Sequence, residues 1–560
     1  MTRTIAPHES NPSSGGRVGP KQPITGGRAV CASQHPLVTD TMLQVMRDGG
    51  NAIDAAIAGC LIQAVVQQDM TNHAGSVTCL FYEAATGQVH ELNSMGRLVA
   101  DLPAHHRVPG GRGLYAPAGT RGPMSVIPGF MPGMKAMFER FATKPWGYLV
   151  APAVAAARDG HVVTSFEHLV YAQTVDLFLY TTSGREHFTP NGHLLQVGER
   201  WAQPALAETL AGLAAEGPDY FLTGGWAQHF VARARELDWP ITLDHMTALP
   251  AYWTTPTRWS HRGYEVAQLS PPDRQAVYCA LVLGILRHLD LPSLGHFAES
   301  PEAAYYMAHA LRLAHLETGF INDPAIFEDP AGVLMSDEYH ALLAAKLRHS
   351  RPKIDLSKHV ELTRGRNALD AAGSASKQPT GSCELSLVDA EGNWVQMMNT
   401  LQTGGIAGEV VDGVPMVGSH QINALTSPLS GWLTGGSGMR AVLSNTIVLK
   451  DGRPVVSLGS PGNVHCTVPQ VLSNILDYGM DPYAADDAPR MLPLTDTYEL
   501  SIESRVSSGF VDGLARLGVL TNPLPRYDYH MGTYQMSWRD DDGTLSSCAG
   551  PRREGNAAAL

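Results

Sequence analysis

Residues 381–400, GSCELSLVDAEGNWVQMMNT, form the stretch that decides the fold, because they read as a β-hairpin whose first strand opens on a serine. Two runs of strand-forming residues flank the turn at 389–393, which carries Asp, Gly and Asn. If the hairpin is symmetric about Glu391, Ser382 lies opposite Thr400, with the two side chains about 5 Å apart. This pair is either an ordinary cross-strand contact or a nucleophile released by cleavage of its own chain.

Strand alternation sorts the residues after this serine into two sets that point to opposite faces of the sheet. One set is polar and the other is apolar: Ser382, Glu384 and Ser386 against Cys383, Leu385 and Leu387. We therefore predict that the Cys383 thiol belongs to a core and is not an alternative nucleophile.

The composition predicts a globular protein that does not bind nucleic acid. Hydrophobic residues make up 44% and charged residues 17% of 560 residues, which is typical of a chain that buries a large core. The formal net charge is −13, and the sequence contains no basic cluster that would suit a nucleic-acid partner. It also has no GxSxG and no P-loop, so it gives no sign of an α/β-hydrolase or a nucleotide site.

The cysteines and the first residues bear on location and on metals. The seven cysteines show no CxxC spacing, and no HExxH is present, so we expect neither disulfides nor a metal site. No apolar run approaches the roughly 20 residues that span a bilayer. The first 20 residues lack the apolar run of a secretory signal. We expect a cytoplasmic protein that has no membrane partner and no cofactor.

The order of predicted elements favours an α+β protein, since strands occupy both ends of the chain and helices fill the middle. Residues 1–26 read as a disordered tail, and 350–381 as an exposed linker. Between and after these segments we predict the following elements: strand 28–33, a helical region 36–66 interrupted at 48–51 with Asn51 as an N-cap, a hairpin over 77–93, mostly helix over 120–350, strands 383–389, 394–400, 445–450 and 454–459, and a helix over 468–478.

A serine hydroxyl needs a base before it can act as a nucleophile. When the serine is the first residue of a chain, its own α-amine can take the proton. This requires cleavage between Gly381 and Ser382, and Thr400 could then orient the hydroxyl by hydrogen bonding. The backbone amides of Gly462 and Asn463 are candidate oxyanion donors, although their loop also reads as an ordinary strand-to-helix turn.

Several separated segments resemble the gamma-glutamyltransferase family of N-terminal-nucleophile hydrolases. They are AVCASQHPLVTDTMLQVMRDGGNAIDAAIA (29–58), GPMSVIPGFMPGM (122–134), GYEVAQLSPPDRQ (263–275), AAYYMAHALRLAHLETGFINDP (303–324) and NTIVLKDGRPVVSLGSPGNV (445–464). The resemblance implies a four-layer αββα sandwich made of two subunits cut from one precursor. The large subunit would be residues 27–381 and the small subunit 382–560. Counting from Asp389 as in the family places the nucleophile on Ser382 and its supporting threonine on Thr400.

The same resemblance shows where this chain departs from its family. The paired serines that bind a glutamyl carboxylate fall on Ala441 and Val442, and the aspartate that binds the amine falls on Ala424. An amino-acid headgroup would lose roughly 1–3 kcal/mol for each missing partner, and more where charge is involved. The remaining candidate substrate contacts are Arg97, Gln402, Asn423 and Ser444. An arginine in such a position is more often a surface or structural salt-bridge residue than a ligand anchor, so both interpretations of Arg97 stay open.

Three functions remain open at this point. The first is an autoprocessing hydrolase of a small acyl-amide that is not glutathione. The second is a genuine gamma-glutamyl hydrolase or transferase with a rebuilt headgroup site. The third is a family member that neither processes itself nor catalyses a reaction.

Overall fold

The structure is a computed structural model that describes residues 18–101, 127–179, 181–237, 239–248, 251–359, 382–401, 409–416, 435–493 and 499–560. Its helices are α1 (Pro36–Arg47), α2 (Ala52–Val66), α3 (Phe130–Phe141), α4 (Trp146–Asp159), α5 (Ser165–Phe178), α6 (Thr182–Phe188), α7 (Pro204–Glu216), α8 (Gly225–Glu236), α9 (Leu243–Thr247), α10 (Gln275–His288), α11 (Pro301–Glu317), α12 (Ala331–Leu334), α13 (Asp337–His349), α14 (Val464–Leu476), α15 (Pro482–Asp487) and α16 (Ser508–Arg516).

Its strands are β1 (Ile24–Gly26), β2 (Val30–Ser33), β3 (Ser76–Glu83), β4 (Gln88–Ser94), β5 (His161–Val162), β6 (Arg200–Trp201), β7 (Tyr252–Thr254), β8 (Thr257–His261), β9 (Tyr264–Gln268), β10 (Cys383–Val388), β11 (Trp394–Thr400), β12 (Val410–Val411), β13 (Val414–Pro415), β14 (Thr446–Lys450), β15 (Arg453–Gly459), β16 (Met491–Pro493), β17 (Glu499–Glu503), β18 (Leu520–Leu524), β19 (Gln535–Arg539), β20 (Leu545–Ala549) and β21 (Asn556–Ala559).

Two seven-stranded sheets lie face to face and form the centre of the molecule. The hairpin sheet has the order β21-β2-β10-β11-β3-β4-β7, and the facing sheet has the order β1-β20-β19-β15-β14-β9-β8. Helices α1 to α4, α7 and α8 pack on the outer side of the hairpin sheet. Helices α10, α11, α14 and α16 cover the facing sheet. The molecule is therefore the α+β, four-layer αββα sandwich predicted from the sequence.

Local sequence signals explain several element boundaries. Asn51 caps α2 through a capping box with Asp54, as predicted from its position. Asp451 and Gly452 both have positive φ angles, which suits the tight turn that joins β14 and β15. Helix α14 was predicted to begin at 468, but it begins at Val464 and accommodates Pro469 within its first two turns.

The predicted tail extends too far into the chain. Residues 24–26 form β1, which pairs with β20, so the ordered fold begins before residue 27. Lys21 is only 1% exposed, and its Nζ donates hydrogen bonds of 2.8 Å to the carbonyls of Gly550 and Arg553. The polar, Gly/Pro-rich composition of the first 26 residues does not indicate that this lysine is buried against the segment at 550–553.

The cysteines and the helices bear on two further expectations. All seven cysteines lie in the described residues, and each is a buried free thiol. None of the helices that the structure describes combines the length and the apolar character that crossing a bilayer requires.

Candidate active site

The hairpin of β10 and β11 has the predicted register. Cys383 pairs with Asn399 and Val388 with Trp394, so the strands are symmetric about Glu391. Ser382 lies immediately before the first of these pairs.

The two hydroxyls at the open end of this hairpin are in direct contact. Ser382 Oγ and Thr400 Oγ1 are 2.6 Å apart, and either oxygen can donate the proton. The two residues are 6% and 0% exposed, so water does not compete strongly for this hydrogen bond.

The rest of β10 explains why the serine is held at this point. Leu385 and Leu387 pack into the core beneath α2. On the opposite face, Ser386 Oγ contacts Ser457 Oγ at 2.9 Å and Ser537 Oγ at 3.0 Å, both on the facing sheet. Because β10 is a central strand between β2 and β11, its ladder bonds fix Ser382 at the edge of the space between the sheets.

A tight loop before β3 supports Thr400. A Cβ on Gly75 would lie 2.7 Å from the Thr400 carbonyl oxygen, so this close approach requires glycine. The amide of Leu401 also donates to the Met70 carbonyl at 3.2 Å. Gly75 therefore lets the loop before β3 approach the backbone of Thr400 closely.

Arg553 contacts the backbone of Ser382, and the sequence did not predict this contact. Its Nη1 donates to the Ser382 carbonyl at 3.4 Å. The guanidinium lies over the rings of Phe166, at 4.7 Å, and Tyr529, at 5.8 Å. Burial lowers the pKa of Arg553 to about 10, which leaves it charged at neutral pH. Lys21 Nζ donates a hydrogen bond to the Arg553 carbonyl, so the segment before β1 also supports this site.

Glu384 connects the hairpin to the loop that follows β15. Ser444 Oγ donates to Glu384 Oε1 at 2.5 Å and accepts the Ser460 amide proton at 2.7 Å. Gln396 Nε2 contacts Glu384 Oε2 at 2.8 Å. Burial raises the pKa of Glu384 to about 8, so the carboxyl is mostly protonated at neutral pH. Strand alternation predicts the face on which Glu384 lies, but it does not predict that this carboxyl connects the hairpin to the loop after β15.

The predicted substrate residue Ser444 is completely buried. Its hydroxyl already uses its proton for Glu384 and accepts from Ser460. These contacts favour a structural role for this hydroxyl over a direct bond to substrate.

The candidate oxyanion donors differ in their contacts. Gly462 has a φ of 101°, and a Cβ there would lie 3.1 Å from the Gly532 backbone. Within the described part of the chain, the Gly462 amide has no hydrogen-bond acceptor. The Asn463 amide donates to the His530 carbonyl at 3.2 Å. An oxyanion role therefore stays a prediction for Gly462, and for Asn463 it requires that this bond be given up.

Arg97 takes part in an ion pair and lies two residues from a backbone group that contacts the Thr400 end of the sheet. Its Nη1 is 3.5 Å from Asp323 Oδ2 and donates to the Gly436 carbonyl at 3.2 Å. Two residues earlier, the Met95 carbonyl accepts from Ser76, which pairs with Thr400 in the sheet. The guanidinium is 29% exposed and lines a small cleft, so both interpretations made for it fit its surroundings.

Comparison with known proteins assigns this arrangement to a family. The profile of the family described as Gamma-glutamyltranspeptidase matches residues 39–560. The chain belongs to the gamma-glutamyltranspeptidase family. Members of this family are N-terminal-nucleophile amidohydrolases and acyltransferases, which agrees with the family, the fold and the class of enzyme predicted from the sequence.

Individual relatives carry different names. The chain is 27% identical over 478 residues to the glutathione hydrolase proenzyme of Pseudomonas sp. (strain A14), covering 82% of this chain and 80% of the relative. It is 25% identical over 575 residues to the acylase ACY 1 proenzyme of Pseudomonas sp. (strain SE83), covering 96% and 95%. The crystal structure of cephalosporin acylase from Bacillus halodurans superposes with a TM-score of 0.82 at 22% identity, covering 98% and 99% of the two chains, and this likeness concerns the fold.

Three predicted site residues lie outside the described residues, so their predictions stay open. They are Gly381 at the cleavage site and Gln402 and Asn423 among the substrate contacts, and Ala424 lies outside as well. No group of three or more His, Cys, Asp or Glu side chains in the described ranges is arranged to hold a metal ion.

Proposed function

We propose that this gamma-glutamyltranspeptidase-family protein is an autoprocessing amide hydrolase whose nucleophile is Ser382. In the proposed reaction, Ser382 becomes the first residue of the small subunit and cleaves a small acyl-amide other than glutathione through an acyl-enzyme. Its partners would be the amide substrate and the large subunit of its own precursor. The observation that carries this proposal is the 2.6 Å contact between Ser382 Oγ and Thr400 Oγ1 at the open end of the central hairpin.

The processing step uses the same hydroxyl. Ser382 Oγ attacks the carbonyl carbon of Gly381, and the C–O bond forms while the peptide C–N bond breaks and its nitrogen takes the hydroxyl proton. Water then hydrolyses the resulting ester. The products are a carboxylate on Gly381 and a free α-amine and hydroxyl on Ser382. Arg553 supports this step by fixing the Ser382 carbonyl, so the residue keeps its position when the preceding bond is cut.

The catalytic cycle then needs no distant base. The α-amine of Ser382 takes the hydroxyl proton as the oxygen attacks the substrate carbonyl. Thr400 orients the hydroxyl, and the Gly462 amide is the available backbone donor for the oxyanion. The protonated α-amine gives its proton to the leaving amine. Water, activated by the same amine, releases the acyl group and regenerates Ser382.

The substrate preference rests on the headgroup positions. Ala441 is buried, and neither Ala441 nor Val442 offers the hydroxyl that a glutamyl carboxylate would need. The names of the relatives do not decide the question, because a glutathione hydrolase and an acylase match at 27% and 25% identity. A gamma-glutamyl substrate is the second candidate, supported by the Arg97 side chain, which is partly exposed and lines a small cleft as an anion anchor would.

A panel of chromogenic anilides tests the substrate proposal. Purified protein, shown by denaturing gel to consist of chains of about 381 and 179 residues, would be assayed with acetyl, butyryl, glutaryl and gamma-glutamyl anilides. We expect at least one anilide without an α-amino group to react faster than the gamma-glutamyl anilide. Rapid turnover of the gamma-glutamyl anilide alone would overturn our interpretation of positions 441 and 442. Release of the acid alone, without transfer to added glycylglycine, would identify hydrolysis.

We also propose a cytoplasmic location, supported by the seven buried free thiols. Cell fractionation followed by immunodetection would test it, and recovery outside the cytoplasm would contradict it.

A further inference from the structure

Two helices begin side by side on the outer face of the facing sheet. Gln275, the first residue of α10, reaches through Nε2 to the carbonyl of Val464, the first residue of α14, at 3.5 Å. Asp273 Oδ1 accepts the amide of Gln275, the first amide of α10, at 2.8 Å, whereas the first amides of α14 have no side-chain cap. The N-terminal amides of a helix carry a partial positive charge, so this junction already favours an anion.

Four basic side chains surround this junction, and we refer to Arg274, His315, Arg440 and His465 as the basic cluster. The rings of His315 and His465 are 5.5 Å apart. The amide of Arg274 donates to the carbonyl of Ala441 at 3.0 Å, so the two arginines stand on adjoining backbone.

Arg440 also reaches the α11 side of the junction. Its Nη2 donates to the Gly319 carbonyl at 2.8 Å, in the turn that follows the helix carrying His315. Three helix ends and the 438–443 segment therefore bring basic side chains together, and the two arginines are the charged ones at neutral pH.

The guanidinium of Arg440 is buried without enough partners. The residue is 2% exposed, yet its Nε and Nη1 have no hydrogen-bond acceptor in the described chain. The Nε of Arg274 also lacks an acceptor there. A buried charged donor without an acceptor costs more free energy than a typical hydrogen bond contributes. Such donors are therefore unusual in folded proteins unless a ligand accepts their hydrogen bonds.

Nearby acids do not neutralise the basic cluster. Within the residues that the structure describes, no carboxylate oxygen lies within 4 Å of the Arg274 or Arg440 guanidinium. Asp273 is the neighbouring acid, and its oxygens accept the amides of Gln275 and Leu443. Burial raises the pKa of Asp273 to about 7, which weakens it as a counter-charge.

The titration behaviour of the cluster agrees with an excess of positive charge. Burial, followed by the charge of Arg274, lowers the pKa of Arg440 to about 10 and that of His315 to about 4. Burial, followed by His315 and Arg274, lowers the pKa of His465 to about 3. Burial is the main cause of these low pKa values, and the neighbouring cation adds to it. Both histidines are therefore neutral at neutral pH, and the positive charge that an anion would balance is that of Arg274 and Arg440.

We propose that the basic cluster binds a small oxoanion, a phosphate or carboxylate group, at the paired N-termini of α10 and α14. The forked donors of Arg440 and Arg274 would take its oxygens, and the helix amides would complete the site. The anion comes either from free solution or from an acyl group that carries a terminal carboxylate. The site stands on its own contacts and does not depend on the proposed reaction.

Binding of inorganic phosphate to the full-length protein tests the site directly. We expect phosphate to raise the melting temperature of the wild type and to bind at least about tenfold more weakly to Arg440→Met. Arg440→Lys, which keeps the charge but loses the fork, should fall between them. Arg158→Met removes an exposed arginine paired with Asp159 and serves as the matched control, with wild-type binding.

A second arm identifies the source of the anion. If a substrate carboxylate occupies the cluster, Arg440→Met raises the KM of a glutaryl anilide about tenfold or more and leaves that of a butyryl anilide unchanged. If a free anion occupies it, phosphate stabilises the wild type and both KM values stay unchanged. The proposal is overturned if Arg440→Met and the wild type bind phosphate equally and the two anilides respond alike.

The melting temperature of Arg440→Met without any ligand provides a further test. Removing one of two neighbouring unpaired cations relieves repulsion, so ligand-free Arg440→Met should melt at the same temperature as the wild type or higher. A lower melting temperature without phosphate would instead mark Arg440 as structural and would count against the site. Should Arg440→Met not accumulate, Arg274→Met provides the same comparison of phosphate binding.

Discussion

The two faces of β10 are equally buried, but they are stabilised in different ways. Leu385 and Leu387 on one face and Glu384 and Ser386 on the other are all 0% exposed. The apolar face gains its stability from packing under α2, which tolerates small shifts in side-chain position. The polar face depends on specific partners, since each buried hydroxyl or carboxyl is costly without one. One strand thus supplies stability on one side and chemistry on the other.

The register of the hairpin decides which residue serves which face. A slip of one residue would move Cys383 into the position of Ser382 and place the leucines between the sheets. The pairing of Val388 with Trp394 at the turn excludes that arrangement.

Ser382→Ala removes the reacting oxygen from the polar face. We expect no processing and an activity at least about a thousandfold lower, because the nucleophile is absent. Denaturing gels and an anilide assay would measure both effects. Cys383→Ala, on the apolar face, is the matched control and should process normally, and Ser382→Thr should retain some activity. An alanine variant that still splits into two chains would contradict the assignment.

Leu385→Ala weakens the apolar face alone. We expect a loss of about 2–5 kcal/mol in the free energy of unfolding, since the side chain is fully buried beneath α2. Urea unfolding in the Ser382→Ala background, where the chain should stay intact, provides the measurement. Ser386→Ala, on the polar face, should lose about 1 kcal/mol. Equal losses from the two variants would argue against our division of the strand.

Thr400→Val removes the hydroxyl that contacts Ser382 while keeping nearly the same shape. We expect kcat to fall about 10- to 100-fold with KM little changed, because the hydroxyl orients the nucleophile and does not bind substrate. Steady-state kinetics of purified variants would show this split. Thr400→Ser keeps a hydroxyl at this position and should stay close to the wild type. A rise in KM alone would instead place Thr400 in the substrate pocket.

Glu384→Gln tests the titration of the polar face. Because burial raises the pKa of Glu384 from 4.5 to about 8, the folded state holds this proton more tightly than the unfolded state. Its contribution to stability is therefore complete below pH 4.5 and is lost as the pH rises towards about 8, by up to about 1.4 kcal/mol per pH unit. Urea unfolding of Glu384→Gln between pH 5 and 8 should show a flatter profile. Parallel profiles for variant and wild type would refute a raised pKa.

The hairpin was predictable because turn chemistry and strand alternation are local properties of the sequence. Asp389 to Asn393 set the turn, and the register of Ser382 and Thr400 followed from it. The β8–β9 hairpin was missed inside a region predicted to be mostly helical. Arg262 and Gly263, both with positive φ angles, were its available turn signal.

The supporting residues of the site could not be predicted in the same way. Arg553 is 171 residues from Ser382 in sequence, and Lys21 is 532 residues from Arg553. Contacts over such distances are fixed by sheet order and layer packing, which single-sequence patterns do not specify. Arg552, Arg553 and Glu554 form a charged run near the end of the chain, and the structure shows that this run is buried, which its polar character does not suggest.

The central claim is that Ser382 becomes a chain end beside its own free amine. N-terminal sequencing of the smaller fragment of the purified protein tests it most directly, because it reports cleavage and its position together. We predict that the fragment begins Ser-Cys-Glu-Leu-Ser. A fragment that begins at Thr380 or Cys383, or a single intact chain that still hydrolyses amides, would contradict the account.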